Sequence, residues 1–142
     1  MIGLREVEAN ADVLQAFARL REARADMTGG LQSAADLISG CRVFALDVDG
    51  VAAVYYALRV VEHDYGREGV VDAIALANKT TRGLGQTQLQ TASAMIDLQF
   101  RNAGCASVSM VTRRRGMVRE AARAGYEIEG FQMRKTLCAM NS

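Results

Sequence analysis

Apolar positions along the chain switch between a two-residue and a helical repeat, and the switches mark its elements. Ile2, Leu4 and Val7 fit a short strand, and Asn10 follows, a residue whose side chain can accept from the orphan amides of a helix's first turn. Val13, Leu14, Phe17 and Leu20 then recur at helical spacing. Beyond Gly29 and Gly30 the helical pattern returns at Leu31, Ala34, Ala35 and Ile38, and Gly40 ends it.

Residues 42–48 and 51–61 are rich in β-branched and aromatic side chains, and between them stand Asp49 and Gly50, the pair favoured by a two-residue type I′ hairpin. Residues 63–69 read as a polar turn and 70–77 as the third strand of a meander, ending at Asn78 and Lys79. The stretch Thr80, Thr81, Arg82, Gly83, Leu84, Gly85 and Gln86 opens a long helix with an apolar face of Leu89, Ala92, Ile96, Phe100 and Ala103, stopped by Gly104. A strand over 105–112, a short helix over 116–124 closed by Gly125, and a last pair of extended segments over 126–129 and 131–137 complete the order β-α-α-β-β-β-α-β-α-β-β. No repeat, low-complexity tract or linker interrupts it, so one domain over 1–142 is expected.

Half of the residues are apolar, enough to bury a core without disulfides or a structural metal. With 17 Lys and Arg against 16 acidic residues the chain lacks the basic excess of a nucleic-acid binder, and no direct nucleic-acid contact is expected. Cys41, Cys105 and Cys138 are too scattered for a zinc site or a disulfide framework and read as reduced core thiols, with no metal implied. No apolar run reaches membrane-spanning length and no basic-apolar leader opens the chain, so a cytoplasmic protein is expected.

The chemistry-bearing feature is the glycine-containing turn between a strand and a long helix. The first amides of a helix have no intrahelical acceptors and sit at the positive end of its dipole, and Gly83 and Gly85 let backbone approach an anion closely. Arg113, Arg114 and Arg115 form the one concentrated charge run, suited to a phosphate or an acidic surface or, equally, to a solvated loop.

The whole element order resembles that of the GCN5-related N-acetyltransferase (GNAT) superfamily. The resemblance implies a mixed α/β (α+β) fold: a central, mostly antiparallel sheet of about six to seven strands flanked by about four helices. The turn resembles that family's acetyl-CoA pyrophosphate loop, a Gln or Arg followed by Gly-x-Gly or Gly-x-Ala; Thr80 stands at the Gln/Arg position, Gly83 and Gly85 at the small positions, and Leu84 as the apolar spacer. By the resemblance, acetyl-CoA would be held by Leu76, Thr80, Thr81, Arg82, Gly83, Leu84, Gly85 and Gln86. Its pantetheine arm would lie between two splayed strands, 70–77 and 105–112.

The family's thiolate acid, a tyrosine four residues before a Gly-aromatic pair, falls here on Ala121, and its CoA-contacting asparagine on Arg114. Neither side chain readily supplies a proton. Tyr126 is the substitute acid, and Asp72, Glu62 and His63 are the candidate bases; a packed aromatic, a solvated strand carboxylate and exposed turn residues are the plainer alternatives for each. The activity implied is N-acetylation of a small-molecule or peptide amine. A second implication is a catalytically degenerate member of the fold, similar to internal virion proteins of short-tailed bacteriophages. Such a protein would reside in the host cytoplasm or the virion and have other virion proteins or copies of itself as partners.

Overall fold

The computed structural model describes residues 1–22, 31–77, 85–112, 115–135 and 137. Five strands and four helices alternate along them: β1 (Ile2–Val7), α1 (Ala11–Glu22), α2 (Ala34–Ile38), β2 (Arg42–Val48), β3 (Val51–His63), β4 (Gly66–Leu76), α3 (Gln86–Asn102), β5 (Cys105–Met110) and α4 (Arg115–Arg123). The strands form one sheet in the order β1-β2-β3-β4-β5, antiparallel up to β4 and parallel between β4 and β5. Parallel neighbours need a long crossover, and α3 supplies it.

Local signals place most boundaries. Asn10 Oδ1 accepts from the Val13 amide at 3.1 Å and caps α1, while Ser33 Oγ accepts from the Asp36 amide at 3.1 Å and starts α2 three residues later than the apolar spacing suggests. Asp49 and Gly50 sit at φ 52° and 81°, the left-handed pair that a type I′ turn requires. The polar turn expected over 63–69 shrinks to Asp64 and Tyr65. Its charged residues pair across the hairpin instead, Arg67 with Glu62 at 2.9 Å and His63 with Glu68 at 3.2 Å.

Both faces of the sheet are covered. Phe44, Leu46, Val54, Tyr56, Leu58 and Val71 pack with Ala92, Ile96 and Phe100 of α3. On the opposite face Val43, Ala57, Ala73 and Ala75 meet Val13, Ala16, Phe17 and Leu20 of α1 and Ile38 of α2. Val71 and Ala73 would share a face in a regular strand. They do not here, because the pairing passes from Leu58↔Val71 to Ala57↔Ala73 and leaves Asp72 as an extra residue, a β-bulge that reverses the alternation.

Among the described residues the sheet has five strands rather than six or seven. Residues 126–135 and 137 carry no strand, although Phe131, Met133 and Leu137 alternate as a strand would. Gly125, at φ 98°, ends α4 with Gly125 N–H donating to the Ala122 carbonyl and Tyr126 N–H to that of Ala121, and the chain beyond runs largely exposed. Alternation makes a segment fit for a strand but supplies no neighbour to pair with. The last cleft strand likewise stops at Met110, two residues short of expectation. Cys41 and Cys105 are partly buried free thiols, and Cys138 lies outside the described residues. Among the described residues no helix is long and apolar enough to cross a membrane.

Candidate functional site

The site is built from the end of β4. β5 pairs with it from Arg67↔Cys105 to Val71↔Met110 and no further, whereas β4 continues through the bulge at Asp72 to Leu76. Among the described residues, β4 beyond the bulge keeps only its β3 neighbour as a strand partner. The Ala77 amide donates to the Ala53 carbonyl at 2.9 Å, so the alternation of an antiparallel ladder turns the main-chain groups of Ala75 and Ala77 toward β3. Those of Ile74 and Leu76 therefore face the side that β5 has left, an edge of donors and acceptors open to an extended ligand. Arg19 of α1 already uses part of it, its Nη2 donating to the Leu76 carbonyl at 3.0 Å.

Eight residues separate β4 from Gly85, which precedes the first helical residue of α3. Gly85 has an extended backbone at φ −64°, and its amide donates to Gln88 Oε1 at 3.1 Å. One amide of the turn is thus covered by a partly exposed, rotatable side chain. The amides of Gln86, Thr87 and Gln88 are the remaining first-turn donors that have no acceptor within the helix. Of the expected loop, Thr80, Thr81, Arg82, Gly83 and Leu84 lie outside the described residues, as do Arg113 and Arg114.

Asp72 is not a free carboxylate. Arg59 grips both its oxygens, at 2.8 and 3.2 Å, and the Cys41 thiol donates to Oδ2 at 3.0 Å. Burial, reinforced by Asp72, pushes the Cys41 thiol up to about 12, which makes it an inert donor rather than a nucleophile. This trio lies on the α1/α2 face, since Cys41 packs against that core. Tyr126 is half-buried on the other face, near enough to Asp97 of α3 to feel its charge; burial and that carboxylate raise the phenol to about 12. The two sequence-predicted proton-transfer groups therefore stand on opposite sides of the sheet. Glu62 and His63 lie beside the first residues of β4, about 33 Å of strand from Leu76, where Glu62 pairs with Arg67 and His63 hydrogen-bonds with Glu68.

Sequence reasoning named Leu76 but missed Ile74, the Asp72 bulge and Arg19. The run Val70 to Leu76 carries no mark of an extra residue, because bulges follow from pairing and not from composition. The helical spacing of α1 gives no hint that Arg19 reaches the end of a strand 57 residues away.

No protein-family model matches the chain, and no curated protein matches it either. Solved structures do. An acetyltransferase of Trypanosoma brucei superposes with a TM-score of 0.66 at 16% identity, covering 96% of this chain and 100% of its own. Glucosamine-6-phosphate N-acetyltransferase of Arabidopsis thaliana gives 0.61 at 16% identity, covering 97% and 99%. A transcriptional regulator of Bacillus halodurans gives 0.67 at 14% identity, covering 95% and 100%. The chain has the GNAT fold.

Proposed function

We propose that this GNAT-fold chain binds acetyl-CoA along the open edge of β4 and transfers its acetyl group to an amine. The observation that carries the proposal is the loss of β5 pairing after Val71, which leaves Ile74 and Leu76 main-chain groups turned outward on the strand that leads to the α3 turn. An extended thiol arm with two amides matches such an edge, as a missing strand would. A diphosphate matches the first-turn amides of a 17-residue helix. Neighbours of the same fold include an enzyme named for acetylating glucosamine-6-phosphate, which supports an amine as acceptor.

In this scheme the thioester supplies the activated acetyl group. Asp72, at the point where β5 leaves β4, accepts the amine proton through a lone pair not already engaged by Arg59 or Cys41. Tyr126 stays protonated at neutral pH and, from the α3 side of the sheet, would donate to the departing thiolate across the gap that β5 leaves beyond Val71, opposite Asp72. Leu76, Gly85 and Gln86, with Thr80, Thr81, Arg82, Gly83 and Leu84, hold the cofactor.

Calorimetric titration with acetyl-CoA and CoA tests the binding step, and saturable heat at micromolar ligand is expected. The absence of heat and of thermal stabilisation at about millimolar CoA would sink the proposal, since a ligand bound only to the native state must stabilise it.

A second reading draws on the segment after α4, where Ile128, Phe131, Met133 and Leu137 are 69 to 91% exposed. Exposed apolar side chains at this density suit a protein of the same fold that contacts copies of itself or other proteins, virion components included. Concentration-dependent association together with failure to bind CoA would favour it.

A further inference from the structure

Arg5, Arg42, Arg59, Arg67 and Arg123 each hold a carboxylate, whereas Arg19 holds a neutral main-chain carbonyl, that of Leu76. The place of that carbonyl gives the contact its interest. Leu76 is the last residue of β4, and its main chain faces the edge that β5 has left, so the guanidinium stands at the mouth of the proposed groove. The position is set by the core and not by surface chance. On the same helix Val13, Ala16, Phe17 and Leu20 are buried against Ala73 and Ala75, which fixes Arg19 over the strand end.

The bond to Leu76 uses one of five N–H donors of a rigid fork whose geometry suits pairs of phosphate oxygens. A carbonyl already holding the guanidinium in place lowers the ordering cost of a charged contact with an arriving anion. We propose that Arg19, reaching across from α1, is the cation that receives the diphosphate of the bound cofactor. The assignment rests on the acetyl-CoA reading above and adds to it a residue from the opposite helical layer.

Arg19→Gln tests it on the full chain, because glutamine can still donate to the Leu76 carbonyl but carries no charge; Arg19→Lys restores the charge without the fork. CoA affinity is measured by calorimetry at about 50 and 300 mM NaCl, a span over which exposed charge contacts become screened. The expected result is roughly 10-fold to 100-fold weaker binding for Arg19→Gln at low salt, the range for losing a charge-assisted hydrogen bond, with a smaller gap at high salt and partial recovery in Arg19→Lys. Binding by Arg19→Gln within twofold of wild type, or a deficit of equal size at both salt concentrations, would overturn the assignment while leaving the cofactor reading intact. Failure of the wild-type chain to bind CoA would remove the cofactor reading itself, and the role of Arg19 with it.

Discussion

The ring of Phe100 packs against the backbone of Gly69: a Cβ placed on that glycine would stand 2.5 Å from two of the ring's carbons. Gly69 is on the α3 face of β4, in the stretch that β5 still pairs, and the absence of a side chain lets α3 settle onto the sheet. Gly69→Ala should therefore destabilise the fold by about 1 to 3 kcal/mol, the cost of overpacking a filled core. Urea melts should also show part of that loss recovered when Phe100→Leu is added. Independent additive losses would mean that the two residues do not compete for the same space.

Gly85→Asp should separate folding from binding. At φ −64° the position suits any residue, and a Cβ there has nothing closer than Gln88 Oε1 at 3.8 Å. Aspartate is a better helix N-cap than glycine by a few tenths of a kcal/mol, so the melting temperature should hold or rise slightly. The same carboxylate would repel a diphosphate at the first turn, and CoA binding should fall at least about tenfold. Unchanged affinity would place the anion elsewhere.

Tyr56 should make the protein sensitive to alkali. Burial raises its phenol from 10.0 to about 12, so the unfolded chain gives up this proton first as pH rises. Its contribution is fully present below about pH 10 and is lost as pH climbs toward 12, amounting to at most about 3 kcal/mol for a shift of this size. Urea melts of wild type and Tyr56→Phe at pH 8, 10 and 11 should show the variant losing less stability over that range. Parallel curves would refute the assignment.

The Arg59–Asp72 pair is half-exposed, so its direct contribution to stability is modest, about 1 kcal/mol or less. Asp72→Asn removes one of the two causes that hold the Cys41 thiol protonated and should accelerate its reaction with a disulfide reagent at pH 8 in a Cys105→Ser, Cys138→Ser background. The same variant asks whether Asp72 serves as the base. Loss of turnover with stability and CoA affinity retained supports that role, whereas lower stability with turnover retained assigns Asp72 to clamping the bulge.

The sequence by itself determined the elements up to α4 and their order, because caps, turn residues and apolar spacing act within a few residues of each other. Asn10, Asp49 and Gly50, Gly104 and Gly125 all perform the local task their chemistry suggests. It also singled out the strand-to-helix turn at Gly85 as a candidate anion site.

Tertiary structure decided what depends on distant neighbours. Whether residues 126–135 and 137 enter the sheet turns on a partner edge and not on their own alternation, and they remain outside it. The extra residue at Asp72, the outward turn of Ile74 and Leu76, the engagement of Asp72 by Arg59 and Cys41, and the reach of Arg19 to Leu76 all arise from pairing register and helix placement. Such contacts join residues 13 to 57 positions apart, and local preferences along a chain carry no information about them.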